Sequence, residues 1–132
     1  MNRSEDLAVF SKTIYAEARG EPVEGQAWVG WVIKNRAAKN RSYWGGNVIA
    51  HVCRHPQQFE CWNGVNDIVI NEPNIYQDIC RLAEQIYDAP ASADPTGGAD
   101  HYNNPGIEGY PAWTRNCDRL LEIGAHQFYK SR

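Results

Sequence analysis

The sequence contains no long uninterrupted apolar segment and no dense cluster of basic residues. Residues 1–5 are predominantly polar, and the apolar residues that follow are interrupted by Ser11 and Lys12, so neither a signal peptide nor a membrane-spanning helix is predicted. The formal net charge is −3. The basic residues of segment 34–41 are scattered and are expected to form a solvated helix end, which argues against a nucleic-acid-binding protein.

No linker, repeat or low-complexity segment divides the chain, so one domain is predicted over residues 1–132. A chain of this length can bury roughly two-thirds of its unfolded surface without a stabilising cofactor. Of the four cysteines, Cys53 and Cys61 are the closest pair and could form a disulfide in an oxidising compartment. Because no export signal is visible, four reduced thiols are the favoured expectation.

A convincing metal-ligand motif is also missing. His51 and His55 are the only close pair among the four histidines, and no zincin-type glutamate accompanies them. We therefore expect neither a metal nor another cofactor. A zinc-dependent amidase or peptidase stays open as an alternative function, since the histidines and cysteines are numerous enough to supply ligands.

Helical periodicity predicts a first helix over residues 4–19. The apolar side chains of Leu7, Phe10 and Ile14 recur at helical spacing, and Ser4 is the expected N-cap. A glycine directly after the segment marks its end.

Glu17 continues this apolar stripe into the last helical turn. At that position desolvation and the negative end of the helix dipole both disfavour the ionised carboxylate. A carboxylic acid that donates a proton near neutral pH needs such surroundings. Glu17 is therefore predicted to be a general acid, and the alternative is a structural carboxylate that pairs with Arg19 or Lys12.

The rest of the chain is predicted to add helices and a small sheet. Three further segments carry helix signals: 22–40, 47–52 and 73–89. The middle of the first of these is apolar all round and is expected to lie at the centre of the domain. Segment 121–125 alternates like a strand and is predicted to pair with residues 101–103. The predicted fold is α+β, mainly helical with a small antiparallel β-sheet.

Four segments carry motifs of one known family: residues 14–27, 58–59, 94–105 and 123–129. In this order they resemble the motifs of the SleB-like cell-wall hydrolases, which comprise spore cortex-lytic enzymes and related phage endolysins. The resemblance implies a lysozyme-like domain that cleaves the β-1,4 bond between N-acetylmuramic acid and N-acetylglucosamine. Glu17 would serve as both acid and base, in a lytic transglycosylase or a lysozyme.

The same resemblance implies which residues bind the glycan. Gln58 and Asn103 offer amides to the sugar substituents, and Phe59 and Tyr102 offer faces to the rings. Glu21 joins them in an orienting or structural role. Four positions depart from the family pattern and affect the expected shape of the cleft: Glu60, Asp100, His101 and Ala125.

A glycosidase that activates water needs a second carboxylate. Glu21, Glu24, Asp67 and Asp100 qualify by residue type, but no spacing supports any of them. A mechanism in which the muramyl 6-hydroxyl attacks the anomeric carbon of its own sugar is therefore favoured. A non-catalytic glycan-binding module is a further alternative, in which Glu17 would be dispensable.

The expected partner is the glycan strand of peptidoglycan. Because the chain shows no export signal, two routes to the wall stay open: release by a phage partner that permeabilises the membrane, or excision of this segment from a larger parent protein. The lack of a separate wall-binding module favours a phage endolysin, and a monomer is expected. Such a protein would accumulate in the host cytoplasm and reach the periplasm and cell wall after a holin, a phage protein that permeabilises the membrane, has acted.

Overall fold

The computed structural model describes residues 1–132 and contains five helices and three strands. The helices are α1 (Arg3–Ala18), α2 (Val23–Lys39), α3 (Ile49–Arg54), α4 (Pro73–Asp88) and α5 (Pro105–Glu108). The strands are β1 (His101–Asn103), β2 (Cys117–Ile123) and β3 (His126–Ser131). Short 3₁₀ turns lie at Ser42–Trp44, Glu60–Trp62, Ala91–Ala93 and Ala112–Asn116. The predicted α+β fold, mainly helical with a small antiparallel sheet, is confirmed.

The first helix begins at a different cap from the one predicted. Asn2, not Ser4, is the N-cap: its Oδ1 accepts a hydrogen bond from the backbone N–H of Glu5 at 2.8 Å. The Glu5 carboxylate in turn accepts a hydrogen bond from Asn2 Nδ2 at 2.9 Å. Asparagine caps a helix about as well as serine, so the cap lies two residues upstream of the predicted one and α1 begins at Arg3.

The helical layer is built around α2, as its apolar middle predicts. Val29, Val32 and Ile33 are fully buried, and α2 packs against α1, α3 and α4. The fully buried side chains of Phe10 and Ile14 place the apolar stripe of α1 in the same core. This packing fixes the C-terminal turn of α1 against the rest of the domain.

The three-stranded sheet has the order β1-β3-β2, and both pairings are antiparallel. Tyr102 of β1 lies opposite Phe128 of β3, and Arg119 of β2 lies opposite Tyr129 of β3. The sheet thus presents β1 beside the helical layer, where β1 contacts α2.

The predicted pairing of segment 121–125 with β1 was wrong. That segment ends β2 and enters a turn at Gly124, whose φ is +57°. The strand that pairs with β1 is β3, in which residues 126–129 are all buried. A strand covered on both faces does not alternate between apolar and polar residues, so its period-2 signal is absent from the sequence.

None of the helices combines the length and the apolar character needed to cross a membrane. All four cysteines are free thiols: Cys53 and Cys117 are buried, and Cys61 and Cys80 are partly buried.

Candidate active site

The largest cavity lies between the helical layer and the sheet and has a volume of about 450 Å³. Glu17, in the last turn of α1, is part of its wall. The other lining residues come from α2, the loop before the Glu60–Trp62 turn, β1, α5 and β3: Arg36, Gln58, Phe59, Glu60, Tyr102, Asn103, Asn104, Ile107, Glu108 and His126. The cavity therefore brings together four of the five residues that the family resemblance assigns to substrate binding.

The carboxylate of Glu17 is oriented from across the cavity by Tyr102. The Tyr102 hydroxyl donates a hydrogen bond to Glu17 Oε1, and its ring packs on His126 and Phe128 with centroid separations of 4.7 and 5.7 Å. Burial and the negative charge of Glu17 raise the pKa of Tyr102 well above its ordinary value. The phenol therefore stays protonated and remains a donor to the carboxylate.

A thiol lies beside the same carboxylate. Burial, followed by the negative charge of Glu17 and a hydrogen bond with it, raises the pKa of Cys61 above the ordinary range of a thiol. Cys61 is therefore a neutral, weak hydrogen-bond donor at physiological pH. Two uncharged groups, the Tyr102 phenol from the sheet and the Cys61 thiol from the Glu60–Trp62 turn, thus accompany Glu17, and the phenol is the one that donates to it.

Arg36 organises the floor of the cavity. Its side chain is only 8% exposed, because the guanidinium lies over the rings of Trp44 and Phe59 at 5.3 and 5.4 Å. Its Nε donates to the Asp100 carbonyl at 2.7 Å, and its Nη1 donates to Gln58 Oε1 at 3.1 Å. Because Arg36 occupies the amide oxygen of Gln58, the Gln58 NH₂ group is left as the donor available to a ligand.

Phe59 and Asn103 lie beneath the cavity surface, since each is only 3% exposed. Both polar atoms of the Asn103 amide are used within the protein: Nδ2 donates to the Gly109 carbonyl and Oδ1 accepts from the Tyr129 hydroxyl, each at 2.9 Å. These contacts anchor the segment that follows α5. The roles of Phe59 and Asn103 in substrate binding stay predictions.

Glu21 lies outside this cavity and joins the α1–α2 turn to the sheet. Its Oε1 accepts a hydrogen bond from the backbone N–H of Ala125 at 2.8 Å, in the turn between β2 and β3. A Cβ at Gly124 would collide with this carboxylate. The geometry supports the orienting or structural role assigned to Glu21, and contact with substrate stays a prediction.

His126 is a cavity residue that the sequence analysis did not single out. It is 9% exposed, and its Nδ1 has no hydrogen-bond partner, with Glu21 Oε1 4.0 Å away. Burial lowers the pKa of His126, although the charges of Glu21, Glu17 and Glu108 oppose this. A neutral imidazole therefore faces the cavity. Its only sequence signal was its place in the closing motif, at residues 123–129.

Asp67 and Asp100, two of the candidates for a second catalytic carboxylate, do not line the cavity. Asp67 is exposed and paired with Lys12 at 2.9 Å. Asp100 is fully buried away from the cavity. Burial would raise the pKa of Asp100, but hydrogen bonds from His101, Lys39 and Ser131 outweigh it and hold the pKa below the ordinary carboxyl value.

The carboxylates that do line the cavity with Glu17 are Glu60 and Glu108. Both are exposed, and Glu108 also accepts a hydrogen bond from the backbone N–H of Asn104 at 3.0 Å. No group of three or more His, Cys, Asp or Glu side chains is arranged to hold a metal ion. What the cavity offers is one carboxyl group oriented by the Tyr102 hydroxyl, two exposed carboxylates and a neutral imidazole.

These features define a class of protein: an α+β domain with an oriented carboxyl group in a cleft between its helices and its sheet. The chain belongs to the cell wall hydrolase family, whose model matches residues 20–129. The membership predicted from the four motifs is thereby confirmed.

Two solved structures are similar over nearly the whole chain. One is the catalytic domain of the Bacillus cereus SleB protein, with a TM-score of 0.74 and 28% identity, covering 98% of this chain and 93% of that one. The other is the catalytic domain of the germination-specific lytic transglycosylase SleB from Bacillus anthracis, with a TM-score of 0.72 and 25% identity, covering 98% of this chain and 97% of that one.

Full-length relatives extend further than this chain. It is 37% identical to a spore cortex-lytic enzyme of Oceanobacillus iheyensis over 128 residues, which are 95% of this chain but 41% of that protein. It is 32% identical to the spore cortex-lytic enzyme of Bacillus subtilis over 124 residues, which are 93% of this chain and 37% of that protein. The chain thus spans about two-fifths of the length of these relatives.

Proposed function

We propose that this chain is a peptidoglycan-cleaving glycosidase domain in which Glu17 is the general acid and base. The observation that carries the proposal is the carboxyl group of Glu17, held by Tyr102 on the wall of a polar cavity of about 450 Å³. That volume falls within the range of about 300–1,000 Å³ that is usual for ligand sites. The names of the similar proteins, spore cortex-lytic enzymes and a lytic transglycosylase, support the same substrate.

The lining of the cavity suits a glycan. Amide, carboxylate and imidazole groups can exchange hydrogen bonds with hydroxyl and acetamido groups, and the exposed side chain of Ile107 adds an apolar contact at the rim. The free NH₂ group of Gln58 can donate to an acetamido carbonyl without losing its contact with Arg36.

The reaction requires a proton at the bridging oxygen between N-acetylmuramic acid and N-acetylglucosamine. Protonated Glu17 gives that proton as the bond from the anomeric carbon to the oxygen breaks, and N-acetylglucosamine leaves with a free hydroxyl group. The Glu17 carboxylate then removes the proton of the muramyl 6-hydroxyl while this oxygen bonds to the anomeric carbon. The product is a 1,6-anhydro sugar, and Glu17 is protonated again for the next cycle.

Tyr102 contributes to the first step of this cycle. A hydrogen bond to a carboxylate is stronger than one to a neutral carboxylic acid, so the Tyr102 donor interacts more strongly as Glu17 loses its proton. An interaction that strengthens in the transition state raises the rate rather than the affinity.

The proposal is tested by comparing the wild type with Glu17→Gln on purified peptidoglycan. The amide keeps the shape of the side chain but cannot donate the proton, so we expect loss of turbidity clearing by about 100-fold or more with the melting temperature retained. A smaller loss would place the acid elsewhere. The wild-type assay is repeated in excess chelator: inactivation that added zinc reverses would favour the amidase alternative, and binding without clearing would favour a glycan-binding module.

The monomeric state, the phage origin, the holin partner and the passage from host cytoplasm to cell wall stay predictions. Size-exclusion chromatography with light scattering tests the first of them directly.

A further inference from the structure

A second depression meets the main cavity at Glu17. It has a volume of about 350 Å³ and lies between the end of α1 and the start of α4. Glu17 is the only residue that lines both spaces. Glu17, the residue assigned to proton transfer, therefore lies between two hollows rather than at the end of one.

The second depression contains an ordered pair of opposite charges. Arg19 Nε donates to Glu72 Oε1 at 3.0 Å, and both side chains are about half exposed. The Arg19 guanidinium lies 5.5 Å from the centroid of the Tyr15 ring, and the Tyr15 hydroxyl accepts a hydrogen bond from the backbone N–H of Glu72 at 3.0 Å. Tyr15 thus holds both partners in place from below.

The Arg19–Glu72 pair has hydrogen-bonding groups that its own ion pair does not use. Arg19 uses one of its five N–H donors and Glu72 uses one carboxylate oxygen, so donors and acceptors remain side by side with no net charge. Ile75 supplies an apolar surface in the same depression, and a Cβ at Gly20 would meet no atom within 4 Å. Hydroxyl groups beside an apolar face are what a neutral sugar ring presents.

We propose that the glycan strand continues through this depression, with one sugar in the main cavity and the next one against Arg19, Glu72 and Ile75. This inference rests on the proposed glycosidase function, because an acid that protonates a bridging oxygen must contact the bond between two sugars. Each of those sugars needs a surface, and the structure provides one on either side of Glu17. Besides the Arg19–Glu72 pair, Glu17 and Glu21 line the depression, so its carboxylates outnumber its one basic group and suit the glycan better than the anionic peptide stem.

The test compares Arg19→Ala and Glu72→Gln with a matched control, Arg3→Ala. Arg3 also pairs with a half-exposed carboxylate, Asp88 at 2.6 Å, and also lies over a tyrosine ring, at 5.6 Å, but it lines neither hollow. The substrate is glycan strands freed of their peptide stems by an amidase, with intact peptidoglycan as a second substrate. Initial rates over a range of glycan concentration give kcat and KM for each variant.

On stem-free strands we expect both variants of the charge pair to lose about fivefold or more in kcat/KM, mainly through a raised KM, as the loss of one hydrogen bond of ordinary strength predicts. Arg3→Ala should equal the wild type. A third variant, Gly20→Leu, fills the depression at a position with open space and should lower kcat/KM while its melting temperature stays unchanged.

Three results overturn the inference. Equal kinetics for Arg19→Ala and Arg3→Ala would show that the depression does not bind the glycan. Wild-type kinetics for Gly20→Leu would show the same. A loss on intact peptidoglycan that disappears on stem-free strands would assign the depression to the peptide stem. If the wild type itself cleaves neither substrate, the proposed function fails, which is a distinct outcome.

Discussion

Removal of a single oxygen atom from Tyr102 should separate positioning from packing in the candidate active site. Tyr102→Phe keeps the ring against His126 and Phe128 but removes the donor to Glu17. Hydrogen bonds to charged groups contribute about 1.5–3 kcal/mol. Because this hydrogen bond strengthens as Glu17 becomes ionised, most of that free energy should appear in the barrier, as a fall of roughly 10- to 150-fold in kcat. KM should change little.

The chain offers a matched control for this experiment in Tyr87. Its hydroxyl donates to Asp6 Oδ2 at 2.7 Å, and neither residue lines the cavity. Burial and the Asp6 hydrogen bond raise the pKa of Tyr87 to about 12. Tyr87→Phe therefore removes the same kind of phenol-to-carboxylate hydrogen bond from a structural location. We expect it to lower the free energy of unfolding by about 1–3 kcal/mol with kcat per folded molecule unchanged.

The assay is release of soluble muropeptides from purified peptidoglycan at several substrate concentrations, with thermal unfolding measured on the same preparations. If Tyr102→Phe keeps the wild-type kcat, the hydroxyl does not take part in the chemistry. If both variants lose stability and rate in equal proportion, Tyr102 acts through packing alone.

Three further outcomes are expected. Mass spectrometry of the digest should show muropeptides lighter by one water than reducing-end products; reducing ends alone would mean that water is activated, and Glu60→Gln would be the variant to test next. Asp100→Asn should lower the free energy of unfolding at pH 7 by about 3 kcal/mol, since it leaves Lys39 without its buried partner. Folding lowers the pKa of Asp100, so its contribution to the free energy of unfolding is fully present above the ordinary carboxyl pKa of about 4 and is lost as the pH falls below that value. The stabilities of the wild type and Asp100→Asn, measured by urea unfolding, should therefore converge at acid pH. Gly124→Ala should lower the melting temperature, because its φ of +57° costs an L-residue about 1–2 kcal/mol and the new methyl group would crowd Glu21.

Helices with a strong apolar period were predictable from the sequence. Segment 73–89 was predicted to be a helix, and α4 ends only one residue before the predicted boundary. The four-residue helix α5 was not predicted, because one turn is too short to show a period. The central strand β3 could not be predicted from periodicity for a different reason, since burial of both faces removes the alternation on which strand prediction depends, and only the family resemblance pointed to a strand in segment 123–129.

The residues of the candidate site also differ in how far the sequence predicted them. Glu17 could be singled out as a candidate from the residues alone, because a carboxylate that continues an apolar stripe is unusual, but preferring it over a structural carboxylate depended on the family resemblance. Gln58 and Tyr102 depended on the family resemblance. Arg36 was expected to lie in a solvated helix end, and the structure contradicts this: two aromatic rings and two hydrogen bonds satisfy the guanidinium in a buried position. The groups that satisfy the buried guanidinium are distant from Arg36 in the chain, so no local sequence pattern predicts its burial.

Asp100 connects the stability of the fold to the geometry of the site. It directly precedes β1, and its buried carboxylate accepts hydrogen bonds from Lys39 at the end of α2 and from the backbone N–H of Ser131 in β3. These contacts fix the start of the strand that carries Tyr102 relative to both the helical layer and the central strand. The hydroxyl of Tyr102 must reach a carboxylate 85 positions away in the sequence, and a shift of β1 by a fraction of an ångström would alter that hydrogen bond. A buried ion pair adds little net stability compared with apolar packing, but it strongly disfavours any arrangement in which its partners separate. Asp100 therefore serves the site by specifying where β1 lies.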